Sequence, residues 1–140
     1  LAELRRFVWG LRANEERTDV LLPAIERYAE RFSVVTGIKV DVAAHGKVKV
    51  NDRLAAELFQ MIEEGLSNIR RHSSSSVARV AITRENSDVI LRLTNQRQKE
   101  LNGVSFVPRS IADRAAALGG KTVVYTDKNN DTVVSVQIPL

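Results

Sequence analysis

The 140-residue sequence contains no cysteine, which excludes disulfides and thiolate-bound metals and leads us to expect an intracellular domain. Its single methionine is Met61, and the chain opens at Leu1 inside a helical pattern, so it reads as a domain excised from a longer protein. Aromatic residues make up only 5%. That is too few for the stacking platforms that bind single strands, and no base-reading motif is present, so nucleic acid is not expected as a partner. No apolar run approaches the roughly 20 residues of a membrane-spanning helix.

What remains is a composition with 44% hydrophobic and 27% charged residues, enough for one domain with a core of its own. The net charge is +4. Much of the basic excess lies in the middle third, at Arg70, Arg71, Arg79, Arg84, Arg92 and Arg97. Such a bias suits a phosphate-bearing ligand, the alternative being ordinary solvated arginines.

Hydrophobic spacing organises the chain. Leu4, Val8 and Leu11 predict an amphipathic helix over Leu1 to Arg12. A second helix fits Asp19 to about Val35, with Asp19 as its cap, a stripe of Leu22, Ile25, Ala29 and Phe32, and Gly37 as its stop. Period-two alternation predicts a strand over Ile38 to Ala43, then a turn at Gly46 and a short strand. A third helix, capped by Asn51 or Asp52, runs to about His72, and a serine run leads out of it as a loop. Strands follow at Val77 to Arg84 and Val89 to Asn95, joined by a hairpin turn at Glu85 to Asp88. Gln96 to Phe106 is unpatterned and longer than a usual connection, which marks a functional or mobile loop. Pro108 fits the first turn of a fourth helix ended by Gly119 and Gly120. Two last strands, Lys121 to Thr126 and Thr132 to Ile138, flank "DKNND". The fold class expected is an α/β (α+β) two-layer sandwich: a mixed, mostly antiparallel sheet covered on one face by about three helices.

The stretch "MIEEGLSNIRRHS", Met61 to Ser73, carries the most chemistry. Leu58, Ile62, Leu66 and Ile69 form an apolar face. Glu64, Asn68 and His72, spaced by four, line one flank of that face, where partly sheltered polar groups need partners. A magnesium ion bridging to phosphates would suit them, with Asn68 offering its carbonyl oxygen, Glu64 orienting or deprotonating a nucleophile, and Arg71 or His72 facing phosphate. Gly65 would then leave room for the ligand, or instead relieve helix packing. A solvent-exposed stripe is the other reading of the same spacing.

That stretch resembles the N box of the sensor histidine kinases, members of the Bergerat-fold ATPase superfamily that also includes gyrase and MutL. By the resemblance, Glu64 polarises the nucleophile, Asn68 binds magnesium, and Arg71 with His72 faces phosphate. "IADRAAALGGKTVVYTD" is similar to the helix and strand after the family's ATP lid, with Arg114 and Gly119–Gly120 in register. "DTVVSVQIPL" is similar to the family's last strand, where Thr132 matches a threonine near the adenine. "LAELRRFVWGLR" looks like the end of the dimerisation region in kinases that pair with helix-turn-helix response regulators. The division implied is residues 1–14 as the tail of a dimerisation or linker helix and 15–140 as the catalytic, ATP-binding domain.

Two boxes depart from the family. The Asp that accepts from the adenine's exocyclic amine is matched by Asn95 in "LRLTNQRQ", with Arg97 at a glycine position. An amide can present its carbonyl to that amine, or turn over and donate to a guanine carbonyl, so poor discrimination between ATP and GTP is expected. "SFVPRSI" stands where the second glycine box should be, with Ser105 and Val107 at its glycines. Arg97, Lys99 and Arg109 remain as phosphate donors, or as arginines and a lysine that solvate a loop. His45 is expected to be a plain surface residue, and neither His45 nor His72 resembles a phosphoacceptor.

The resemblance thus implies a cytoplasmic catalytic domain, with membrane attachment of the parent left open. It would bind ATP with Mg2+ through Asn68, Arg71, Asn95, Arg97, Arg109 and Thr132, with Glu64 and His72 as catalytic groups. In a two-component phosphorelay, a homodimeric parent would pass the terminal phosphoryl group to a histidine on an upstream dimerisation domain, and a response regulator would receive it. A degenerate domain that docks a partner without turning over nucleotide is the alternative.

Overall fold

Glycine and asparagine set the element boundaries in the computed structural model, which describes residues 21–46, 48–96 and 108–140. Helix α1, Leu21–Thr36, ends where Gly37 takes φ +79° and its N–H donates to Ser33 O at 2.8 Å. Strand β1, Lys39–His45, follows and turns at Gly46. Asn51 then caps α2, Asp52–His72, its side chain accepting from Leu54 N at 2.8 Å. Strands β2, Val77–Glu85, and β3, Asp88–Gln96, form a hairpin whose turn holds Asn86 at φ 54°. Helix α3, Arg109–Ala117, ends at Gly119. Strands β4, Lys121–Thr126, and β5, Asp131–Pro139, are joined by a turn in which Asp127 Oδ1 accepts from the backbone N–H of Asn129 and Asp131.

The five strands form one sheet in the order β1-β2-β3-β5-β4, with β1 parallel to β2 and every other pair antiparallel. Alternation decides which face is covered. Val80, Ile82, Leu91, Leu93, Val136 and Ile138 point to one face and share a core with Ile25 of α1, Leu58, Ile62 and Leu66 of α2, and Ile111 of α3. The opposite face exposes Arg79, Val123 and Tyr125, while Ile90 and Val133 are buried on it between their cross-strand neighbours. Tyr28 ties α1 to α2, stacking on Phe32 at 6.2 Å and meeting Phe59 edge-on at 5.6 Å.

This is the two-layer sandwich expected, with local differences. The buried stripe of α1 is Leu21, Ala24, Ile25 and Ala29, one position round from the predicted one, because Leu22 and Phe32 lie at its edges. The short strand after Gly46 is reduced to an isolated bridge at Val50. Pro108 sits at the N-cap of α3, where its carbonyl accepts from Ala112 N. Gln96, assigned to the loop, is the last residue of β3. The helix expected over Leu1 to Arg12, the Asp19 cap, and the loop from Arg97 onward lie outside the described residues. Among the described residues, no helix is long and apolar enough to cross a membrane, which says nothing about a β-barrel.

Candidate functional site

Helix α2 carries its polar flank along the edge of its buried face. Leu58, Ile62, Leu66 and Ile69 are all buried, and Gly65 lies between them and the sheet. A Cβ on Gly65 would collide with Leu93 of β3 and come within 3.6 Å of Ile111 Cδ1 of α3. Gly65 therefore serves close helix–sheet packing. The space that the sequence reading offered to a ligand is filled by Leu93.

Glu64, beside it, faces α3. Its Oε1 accepts from Arg114 Nε at 3.1 Å, and Arg114 Nη1 reaches Glu57 Oε2 at 3.3 Å. Glu57 and Glu64 lie seven residues apart, about two turns, so one guanidinium can span both. Burial works against the Arg114 charge, but the hydrogen bond and charge of Glu64, then those of Glu57, outweigh it and hold its pKa above the ordinary value. Glu64 Oε2 is buried and has no hydrogen-bond partner among the described residues. A buried carboxylate oxygen without a donor is an unmet hydrogen-bond demand that calls for an explanation.

One turn on, Asn68 Oδ1 accepts from Arg71 Nη2 at 2.9 Å. Arg71 and His72 are exposed in the last turn of α2. The link Ser73–Ser76 then leads into β2 at the end of the sheet where β3 finishes. There Asn95 and Thr132 are direct cross-strand partners, Asn95 in β3 and Thr132 in β5. Both share the face of Leu93 and hence the α2 side. Arg109 opens α3 and is exposed. Arg97 lies outside the described residues. His45 is exposed at the end of β1, as expected of a surface residue.

The fold thus gathers Glu64, Asn68, Arg71 and His72 on one helix, and Asn95 with Thr132 at the neighbouring end of the sheet. Sequence reasoning missed two residues. Arg114 was matched only by register; its signal was its place three residues after Ile111, which turns it towards α2. Ser75 was read as part of a plain loop, and nothing in a run of four serines distinguishes it, yet it alone of the four is buried.

The donors can be tested against Mg2+ and ATP. Among the described residues, no group of three or more His, Asp or Glu could hold a metal ion. Asn68 offers one amide oxygen, and an arginine already occupies it. Magnesium keeps most of its waters and takes few protein ligands, so this set fits an ion delivered on nucleotide phosphates and not one bound beforehand. The arginine beside Asn68 fits a phosphate-bearing ligand, whereas the bare Glu64 Oε2 calls for a hydrogen-bond donor and not a phosphate oxygen.

No protein-family model matches the chain. Along its whole length it is similar to the signal transduction histidine-protein kinase/phosphatase DegS of Brevibacillus brevis. The two are 28% identical over 145 aligned residues, covering 100% of this chain and 38% of that protein. Among solved structures, the blue-light activated histidine kinase of Erythrobacter litoralis matches with a TM-score of 0.71 at 17% identity, over 99% of this chain and 51% of that one. The ATP binding domain of PrrB from Mycobacterium tuberculosis matches with a TM-score of 0.70 at 12% identity, over 84% and 92%. The fold is that of the histidine kinase ATPase domains. The chain is thus similar in sequence to a histidine-protein kinase and shares the fold of histidine kinase ATPase domains, and it spans 38% of the length of DegS.

Proposed function

We propose that this domain binds ATP with Mg2+ between α2 and the Asn95–Thr132 end of the sheet. In its parent it would pass the terminal phosphoryl group to a histidine on an upstream dimerisation domain, from which a response regulator takes it. The observation that supports the reading is that α2, which carries Glu64 and Asn68, ends beside the part of the sheet where Asn95 and Thr132 pair, Ser75 just beyond it bonding to Gln96 O. Residues 1–14 would be the tail of the dimerisation region, and their resemblance supports pairing with a helix-turn-helix regulator and a homodimeric parent.

Phosphoryl transfer depends mainly on positioning and charge neutralisation. When bound, magnesium would supply charge neutralisation at the β- and γ-phosphates. Asn68 would hold it, and Arg71 would leave the Asn68 oxygen for a phosphate oxygen, joined by Arg97, Arg109 and His72. Glu64, clamped at Oε1, would accept the proton of the attacking imidazole at Oε2 or orient that imidazole. Asn95 and Thr132 would receive the base.

Calorimetry tests the metal assignment. Magnesium alone should give no heat, and ATP should bind more tightly with magnesium than without. Asn68→Ala should remove that difference and keep the fold. Equal ATP affinity with and without metal in the wild type would exclude Asn68 as a metal ligand. The kinase reading is tested by labelling with ATP. The 140-residue chain alone should stay unlabelled, and a version extended through the upstream helices should become labelled on a histidine. A domain that only docks a partner, the reading favoured by Arg97, Ser105 and Val107 in place of glycines, would leave both unlabelled.

A further inference from the structure

Two hydrogen bonds fix the Asn95 amide, and two more fix the serine that receives one of them. Ser75, 6% exposed in the link between α2 and β2, donates its hydroxyl proton to Gln96 O at 2.9 Å. It accepts from Ser73 Oγ at 2.8 Å and from Asn95 Nδ2 at 3.3 Å. Asn95 Nδ2 also donates to Gln96 O at 3.2 Å. Gln96 O can only accept, and the single proton of Ser75 is committed to that same carbonyl. Both groups facing the inner end of the amide are therefore acceptors. Turning the amide over would set Oδ1 against them with no proton between. The chemistry of the neighbours thus assigns the NH2 group inward and Oδ1 outward. Among the described residues, no group donates to that Oδ1.

We infer that Ser75 is a positioning residue that holds Asn95 as an obligate hydrogen-bond acceptor. The site thereby selects a purine carrying an exocyclic amine over one carrying a carbonyl at that place. The inference rests on the proposed nucleotide site and names its base specificity. It reverses the poor discrimination expected from a freely turning amide. An adenine amine donates to Oδ1, whereas a guanine O6 would meet it acceptor to acceptor. A carboxylate is an acceptor in either orientation and needs no such holder, so an asparagine here does the same work only with Ser75 behind it.

The experiment is a competition titration of ATP against GTP, both with magnesium, on the full 140-residue chain and three variants. The wild type should prefer ATP by about tenfold, the scale of one hydrogen bond exchanged for an unpaired acceptor. Ser75→Ala, which leaves only the bond to Gln96 O, should cut the preference to about threefold or less, as the loss of half that interaction implies. Asn95→Asp should keep the preference, and adding it to Ser75→Ala should restore it. A purely structural serine would not give that rescue. An unchanged ratio in Ser75→Ala, or no preference in the wild type, would overturn the inference and leave the nucleotide site standing. Failure of the wild type to bind either nucleotide would overturn the nucleotide reading itself, and the inference with it. Should Ser75→Ala not fold, exchange of the Asn95 Nδ2 protons with solvent decides in the wild type. Slowed exchange is expected, and exchange at the rate of a free amide would overturn the assignment.

Discussion

Under the proposed function, Glu64→Gln is expected to slow phosphoryl transfer in the full-length protein by about 10²- to 10⁴-fold, the usual contribution of a positioned general base. The substitution isolates basicity from position. A glutamine carbonyl can still accept from Arg114 Nε in place of Oε1, while its NH2 replaces the partnerless Oε2 and cannot take a proton. Single-turnover labelling of the upstream histidine measures the rate, and thermal unfolding checks that the fold persists. Arg114→Met is the complementary change. It keeps the carboxylate and removes the clamp, so Glu64 Oε1 loses its donor, at a cost of about 1–3 kcal/mol in stability. The two ion pairs are partly exposed and add little beyond that. A near-normal rate in Glu64→Gln would mean that no proton passes to this carboxylate.

Gly65→Ala should destabilise the domain by about 1–3 kcal/mol, the range for a methyl group forced into a filled core. Alanine is otherwise the better helix former by roughly 1 kcal/mol, so the sign of the effect is diagnostic. The obstacle is Leu93, itself buried beneath α2, with Ile111 on the other side. Urea unfolding should show a lower midpoint with an unchanged slope. Leu93→Val in the same chain should recover part of the loss by withdrawing the atom that the new methyl meets. A stabilised Gly65→Ala would mean that α2 stands further from β3.

Legibility in the sequence followed the range of each interaction. The α2 cap at Asn51, the hairpin turn at Asn86, and the ends at Gly37 and Gly119 rest on bonds within a few residues, so their residue types announce them. The sheet's covered face was readable because Leu91 and Leu93 alternate with Arg92 and Thr94. Glu64, Asn68, Arg71 and His72 lie within nine residues of one helix, and their spacing alone made them a group. The role of Gly65 was not readable, since a mid-helix glycine serves a ligand or a neighbour equally well until Leu93 is placed beside it. Nor could spacing show that Arg114 bridges Glu57 and Glu64, or that Ser75 reaches Gln96 and Asn95. Those contacts join segments far apart in sequence, where only the tertiary fold sets the distance.

The β3–β5 pairing has a consequence for how the site comes apart. The proposed phosphate end is one stretch of helix, and its residues keep their spacing as long as α2 stays wound. The proposed base end exists only while Asn95 and Thr132 remain in register across two strands, and α3 and β4 separate those strands in the chain. Partial opening of that ladder would part the base contacts and leave the α2 row intact. The two halves of the site therefore have separate local stabilities, and a nucleotide that spans both would couple them.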